Sequence, residues 1–208
     1  MIMFISFEGL DASGKSTQAE LTAARFRESG EEVVFIREPG GTQLGEKIRS
    51  MLLDVNNYIE PIAEVFLFSA ARAQLVREVI QPALAQGQVV ICDRYVDSTT
   101  SYQGYGREIP LESIHAVNRI AIGTVLPDLT FFIDIPIEEI ERRQRAAGKI
   151  TDRMERAGLD FFQRSRNGYI ELSKTEKRLK IINGERSPDR IFEEIWSIIQ
   201  KELHRSSV

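Results

Sequence analysis

Cysteine is almost absent from this chain: Cys92 stands alone among 208 residues, so no internal disulfide framework can form. Histidine is nearly as scarce. His115 and His204 lie far apart, and with a single cysteine they offer no zinc-ligand spacing. No apolar run approaches the roughly 20 residues that span a bilayer. The apolar start Met1–Phe7 meets Glu8 at once and lacks a basic leader, which argues against a secretory signal. Charge of one sign is not in large excess either, with Lys+Arg 27 against Asp+Glu 31 and a net charge of -4. That balance argues against a broad nucleic-acid-binding surface, while leaving room for a local basic pocket. Together these absences predict a soluble protein of a reducing compartment, most simply the cytoplasm, with no nucleic acid and no membrane as partner.

What is present is an ordinary globular composition, 42% apolar and 28% charged, in a chain long enough to bury its own core. Short apolar runs alternate with longer helix-like stretches. The runs are Met3–Phe7, Val33–Ile36, Val89–Cys92, Leu129–Ile133 and Leu179–Ile182, rich in β-branched and aromatic residues. They are apolar at successive positions, as parallel strands covered on both faces should be. The pattern predicts an α/β fold in which crossover helices join parallel strands. Helices are expected over Thr17–Ser29 and over Pro61–Gln86, the latter with proline in its first turn, where a missing N–H costs little. A last helix should start at an N-cap, Ser187, with Pro188 just inside and Ile191, Ile195, Ile198 and Ile199 along one face. No repeat, low-complexity tract or linker interrupts the chain, which predicts one domain over residues 1–208.

The segment Gly9-Leu10-Asp11-Ala12-Ser13-Gly14-Lys15-Ser16 fits G-x-x-x-x-G-K-[ST], with a strand running in and a helix, from Thr17, running out. The glycines let the loop fold tightly enough for consecutive N–H groups to face one anion. The helix N-terminus adds partial positive charge, Lys15 should reach the β- and γ-phosphates, and Ser16 should ligate Mg²⁺. The plain alternative, a glycine-containing turn, fits the strand and helix context poorly. The loop therefore predicts a bound nucleoside triphosphate with Mg²⁺.

A phosphate loop does not by itself choose between switches, motors and kinases. No N-K-x-D guanine-reading motif occurs, which weakens a GTPase. The third strand runs out as Asp93-Arg94-Tyr95, placing an arginine where a motor ATPase would usually carry a second carboxylate. An arginine beside the transferred group suits a phosphorylated acceptor, whose charge must be neutralised before two anions can meet. A mutual ion pair of Asp93 and Arg94 at the strand end is the structural alternative.

These residues resemble the thymidylate kinases of the P-loop nucleoside monophosphate kinase group. The matching blocks are Phe7-Glu8-Gly9, Arg37-Glu38-Pro39-Gly40-Gly41-Thr42, Asp93-Arg94-Tyr95 with Ser98-Thr99, and Tyr102-Gln103-Gly104 with Gly106-Arg107. Beyond them come Pro127-Asp128-Leu129, Asp134, Asp152-Arg153, Asp160-Phe161-Phe162, Arg164, Arg166 and Gly168-Tyr169. The resemblance implies a three-layer fold with a five-stranded parallel sheet flanked by helices, and transfer of the γ-phosphoryl of ATP to dTMP, giving dTDP on the route to dTTP. It also implies a homodimer.

Carried onto this chain, the resemblance makes residues 9–17 the ATP loop, with Lys15 and Glu8 among the catalytic group. Arg37 and Arg94 leave different strand ends and would grip the acceptor phosphate, with Pro39 beside them. Phe68 and Arg72 share a helix face, one stacking on thymine and the other donating to the base; core packing is the alternative for Phe68. Thr99 would read the pyrimidine edge next to Ser98, Tyr102 would crowd the 2′ position, and Gln103 would support that wall. Glu8 and Asp93 are the candidates for orienting Mg²⁺ or its waters and the sugar hydroxyl, with Ser16 and Asp93 as the metal site.

The segment from Arg142 to Arg153 carries Arg142, Arg143, Arg145, Lys149 and Arg153 against Asp152 alone. A charge run is usually a solvated face, yet this one falls where the family places a lid, about residues 142–153. The phosphate loop itself has no arginine, so the lid should supply cations, with Arg153 catalytic and Arg143 at ATP. Which of Arg142, Arg143 and Arg145 reaches the phosphates stays open. Asp160 resembles a family acid near the nucleotide but reads better as a helix cap. The rivals are a kinase for another small acceptor and a non-catalytic nucleotide sensor.

Overall fold

Residues 2–148, 152–154 and 156–206 are described by a computed structural model of the chain. Five strands, β1 (Met3–Glu8), β2 (Val33–Arg37), β3 (Val89–Asp93), β4 (Leu129–Asp134) and β5 (Leu179–Asn183), form one parallel sheet in the order β2-β3-β1-β4-β5. Each expected strand is present and extends one residue further at its carboxyl end. That extra residue matters, because it is Glu8, Arg37, Asp93 or Asp134 in four of the five cases. Ligands of open α/β sheets bind at these strand ends.

Alternation along the central strand feeds two cores. Ile5 and Phe7 face α1 (Lys15–Glu28) and α9 (Pro188–Ser206), packing with Ala19, Phe26, Ile195 and Ile199. Phe4 faces the other way, toward Leu75, Val76 and Ile80. The α9 stripe is as expected for Ile191, Ile195 and Ile199, which are buried, while Ile198 is only partly covered.

The long helical path from Pro61 is not uniform. It runs as α3 (Pro61–Leu75), a π-helical segment at Val76–Ile80, and α4 (Gln81–Ala85). Pro82 cannot donate into a helix, and the register shift just before it, with Gln81 N–H donating to Val76 O, absorbs that loss. A second π-helical segment, Thr100–Gly106, follows the short helix α5 (Val96–Thr99). The remaining helices are α2 (Gln43–Leu53), α6 (Leu111–Ile122), α7 (Ile137–Ala147) and α8 (Leu159–Thr175). Thr42 caps α2 by accepting from Gly45 N–H at 2.9 Å. Asp160 does not cap α8 as expected. Gly158 occupies the cap position without a side-chain bond, and Asp160 lies inside the first turn, where it favours the positive helix end.

Candidate active site

The phosphate loop turns between β1 and α1. Gly9 has φ 146, and a Cβ there would lie 2.7 Å from Ser13 Oγ and 2.8 Å from the Ile133 carbonyl, so only glycine fits. Ala12 also sits in the left-handed region, at φ 65. Gly14, at φ 97, precedes α1, which starts two residues before the expected Thr17 and so includes Lys15 and Ser16. Leu10 turns its side chain into the core beside Phe132 and Tyr102, Ser13 is buried, and Thr17 is exposed.

Lys15 is buried, its Nζ only loosely held at 3.4 Å from both the Leu10 carbonyl and Asp11 Oδ1. Burial and the neighbouring Arg94 charge lower its pKa below the usual lysine value. Asp11 is the shared acid: burial alone would raise its pKa, but Arg94 and Lys15 hold it below the usual carboxylate range. Ser16 Oγ donates to Asp93 Oδ2 at 2.5 Å, and Asp93 Oδ1 is buried with no hydrogen-bond partner. A hydroxyl and a carboxylate oxygen with spare capacity fit Mg²⁺, which takes few protein oxygens and fills the rest of its shell with phosphate and water.

Arg94 leaves β3 with φ 74, a strained value that turns its side chain back over the loop. It donates to the Gly9 carbonyl at 2.9 Å and to Asp11 Oδ1 at 2.8 Å, and its guanidinium lies 5.1 Å from the Tyr102 ring centre. The Asp93–Arg94 ion pair considered as an alternative is not the arrangement, since Arg94 pairs with Asp11. Arg37, at the neighbouring end of β2, is exposed and lines the same cavity as Arg94, Asp93 and Pro39.

Glu8 ends β1 beneath this pocket, fully buried. It accepts from Tyr95 N–H at 2.7 Å, Ser98 Oγ at 2.6 Å and Tyr169 Oη at 2.7 Å. Burial, reinforced by the Asp97 charge, nevertheless raises its pKa from 4.5 to about 7. Its contacts make it a support for the strand-end loop.

Another wall of the same cavity comes from α3 and from the α5 and π-helical stretch. Arg72 is buried, donating to Glu38 Oε2 at 2.7 Å, Thr99 Oγ1 at 2.6 Å and the Tyr95 carbonyl at 3.1 Å. Breaking such a buried pair from one side costs about 3–5 kcal/mol, so Arg72 also holds the wall together. Phe68, one turn earlier, is half-buried at the cavity, so it is not a plain core residue. Ser98, Thr99, Tyr102 and Gln103 line the cavity with it. Gln103 Nε2 is held by Glu64 Oε1 at 2.8 Å.

From the basic segment, the structure brings Arg143 to the phosphate loop. Its Nη1 donates to the Ala12 and Ser13 carbonyls at 3.3 and 3.2 Å, and its Nη2 to Gly184 at 2.9 Å. Arg142 and Arg145 stay exposed, paired along α7 with Glu139 and Glu141. Arg153 has partners of another kind. Its Nη2 lies 2.7 Å from Glu64 Oε2 and its Nε donates to the Leu52 carbonyl at 2.7 Å, so its charge is engaged by α3 and the end of α2. The buried carboxylate of Glu64 draws it there. Lys149 lies outside the described residues.

Sequence reasoning missed Arg49 and Glu64. Arg49 projects from α2 into the cavity and donates to the Pro39 carbonyl at 2.9 Å. Its pKa is lowered by burial and by Arg37, which marks two cations crowded together. The one available signal was position, on the helix that directly follows the Arg37–Thr42 block.

A family model described as thymidylate kinase matches residues 7–195. A thymidylate kinase of Kosmotoga olearia is 47% identical over 194 residues, covering 93% of each chain. One of Thermosipho africanus is 47% identical over 201 residues, covering 97% of this chain and 99% of that one. The crystal structure of thymidylate kinase from Ehrlichia chaffeensis superposes with a TM-score of 0.77 at 34% identity, over 95% of this chain and 98% of the other. The five-stranded parallel sheet, the phosphate loop at the end of its central strand and the cation-lined cavity beside it agree with that match, and the chain belongs to the thymidylate kinase family.

Proposed function

We propose that the chain phosphorylates dTMP with Lys15, Arg94, Arg37 and Arg143 supplying the positive charge. The family reaction passes the γ-phosphoryl group of ATP to dTMP, giving dTDP for DNA synthesis. The observation that carries this assignment is the Arg94 guanidinium, set between the phosphate loop and Tyr102 of the acceptor wall.

The acceptor phosphate is already an oxyanion, so no general base is needed, and catalysis rests on positioning and electrostatics. Arg37 and Arg94 hold that phosphate, with Arg49 behind them. Phe68 stacks on the base, Thr99 and Arg72 meet its polar edge, and Tyr102 and Gln103 close the sugar side. Lys15 and the loop N–H groups hold the donor phosphates, with Arg143 on the far side of the loop. Glu8 keeps Ser98 and the Tyr95 backbone in place. Asp93 and Ser16 would hold Mg²⁺, which supplies charge neutralisation between the donor phosphates when bound.

Residues 1–208 form one domain with a lid at about 142–153. The chain acts as a homodimer in the cytoplasm. In favour of the dimer, α3 exposes Ile62 and Phe66, and α6, packed against it, exposes Ile120. Among the described residues no helix is long and apolar enough to cross a membrane. Sedimentation of the purified chain tests the dimer, and a monomer at all concentrations would refute it. A coupled assay for ADP tests the reaction. Turnover with dCMP or a nucleoside, and none above background with dTMP, would overturn it.

A further inference from the structure

Glu64 has no part in the reaction as described, yet it is fully buried on α3, one turn before Phe68. A carboxylate taken out of water is costly unless donors surround it. Here the donors come from separate parts of the chain. Gln103 Nε2 donates to Oε1 at 2.8 Å, Arg107 reaches the two oxygens at 3.3 and 3.2 Å, and Arg153 Nη2 lies 2.7 Å from Oε2. Two guanidinium groups therefore share one buried carboxylate.

Both ends of this cluster reach the acceptor cavity. Gln103 lines it directly, and Arg153 is followed by Met154, which lines it too and packs in one apolar cluster with Tyr102 and Phe68. Arg153 is pinned a second time, by its Nε to Leu52 O and by its N–H to Leu53 O at 3.3 Å. A lone surface ion pair would be worth little, but a buried charge with several donors fixes whatever carries those donors.

Resting on the acceptor-pocket reading above, we propose that Glu64 is a positioning residue for dTMP. It holds Gln103 and the Arg153–Met154 segment against the same cavity, so that acceptor binding and the placement of residues 152–154 are coupled. Glu64 itself touches no reacting atom.

The test compares the full-length parent chain with Glu64→Gln and with Glu64→Gln/Arg153→Met. Three readouts are needed: KM for dTMP and for ATP, the thermal midpoint, and amide hydrogen exchange at residues 152–154 with and without dTMP. Glu64→Gln should raise the dTMP KM about tenfold while the ATP KM changes less than about twofold, the signature of lost acceptor binding. In the parent, dTMP should slow exchange at 152–154, and in Glu64→Gln at saturating dTMP it should not. The double variant removes one guanidinium left unpaired, so it should regain part of the thermal midpoint while keeping the raised dTMP KM. Full recovery of the dTMP KM together with the midpoint would reduce Glu64 to a structural ion pair and overturn the proposal. So would dTMP-dependent protection that persists in Glu64→Gln. Should that variant not fold, the parent alone decides, since absence of dTMP-dependent protection at 152–154 refutes the coupling. A parent that fails to turn over dTMP at all would instead overturn the reading of the reaction.

Discussion

Ser16 Oγ donates to Asp93 Oδ2 at 2.5 Å and thereby ties the first turn of α1 to the tip of β3 across 77 residues of sequence. The pair places two hard oxygens beside the phosphate loop, one of them on a carboxylate whose Oδ1 has no hydrogen-bond partner. Chelation should abolish turnover, and Mg²⁺ should restore it. Asp93→Asn should raise the Mg²⁺ concentration for half-maximal rate about 10- to 100-fold, as loss of a metal-orienting group does. An unchanged Mg²⁺ titration would remove Asp93 from the metal site.

Arg94→Ala should cut turnover at least about a hundredfold with ATP binding largely kept, because a positioned cation on the transferring group is lost. Nucleotide binding measured by calorimetry separates the two effects. Arg94→Gly relieves the positive φ, so it should be the more stable variant and equally slow. Turnover that survives in both would exclude Arg94 from the mechanism.

The arginines of α7 should separate cleanly in steady-state kinetics. Arg143→Ala should raise the ATP KM about tenfold, since it removes a cation packed on the phosphate loop. Arg142→Ala and Arg145→Ala should stay within about twofold of the parent, because exposed helix pairs contribute little. Equal effects at all three positions would mean that the contacts of Arg143 with the Ala12 and Ser13 carbonyls have no kinetic weight.

Glu8 makes stability depend on pH. Its folded pKa, about 7, lies above the ordinary 4.5, raised first by burial and then by Asp97, while Ser98, Arg94 and Tyr169 pull the other way. The folded state thus holds a proton that the unfolded chain releases earlier. The contribution is fully present below pH 4.5 and is lost as pH rises through about 7. Compared with Glu8→Gln, which cannot titrate, the parent should lose about 3 kcal/mol over that window, following the usual linkage of pKa to stability. Denaturant melts of both chains across pH 4.5 to 7 check it, and a constant difference between them would refute it.

The strands were legible because buried parallel strands need apolar residues on both faces, which leaves runs such as Val89–Cys92 in the sequence itself. The phosphate loop was legible because its chemistry sits within eight consecutive residues. Arg49 and Glu64 were not, since an arginine or glutamate on an amphipathic helix has the same pattern whether it meets water or a cavity. The partner of Arg153 was hidden for a related reason. The motif identifies Arg153, but its partner is a carboxylate 89 positions earlier, and only the fold brings Glu64 to it. The two π-helical segments depend on a shift of backbone pairing that residue types do not announce.

Lys15 and Arg94 both lean on Asp11, at 3.4 and 2.8 Å. The site therefore carries its own counter-ion. A phosphate that approaches either cation has to compete with a charge already in place, so it binds by exchange and gains less than a bare pair of cations would offer. On departure the carboxylate takes the cations back, which lowers the cost of letting a polyanionic product go. In the proposed reaction, one acidic side chain in the loop, a negative charge among phosphates, thus favours moderate grip and ready release.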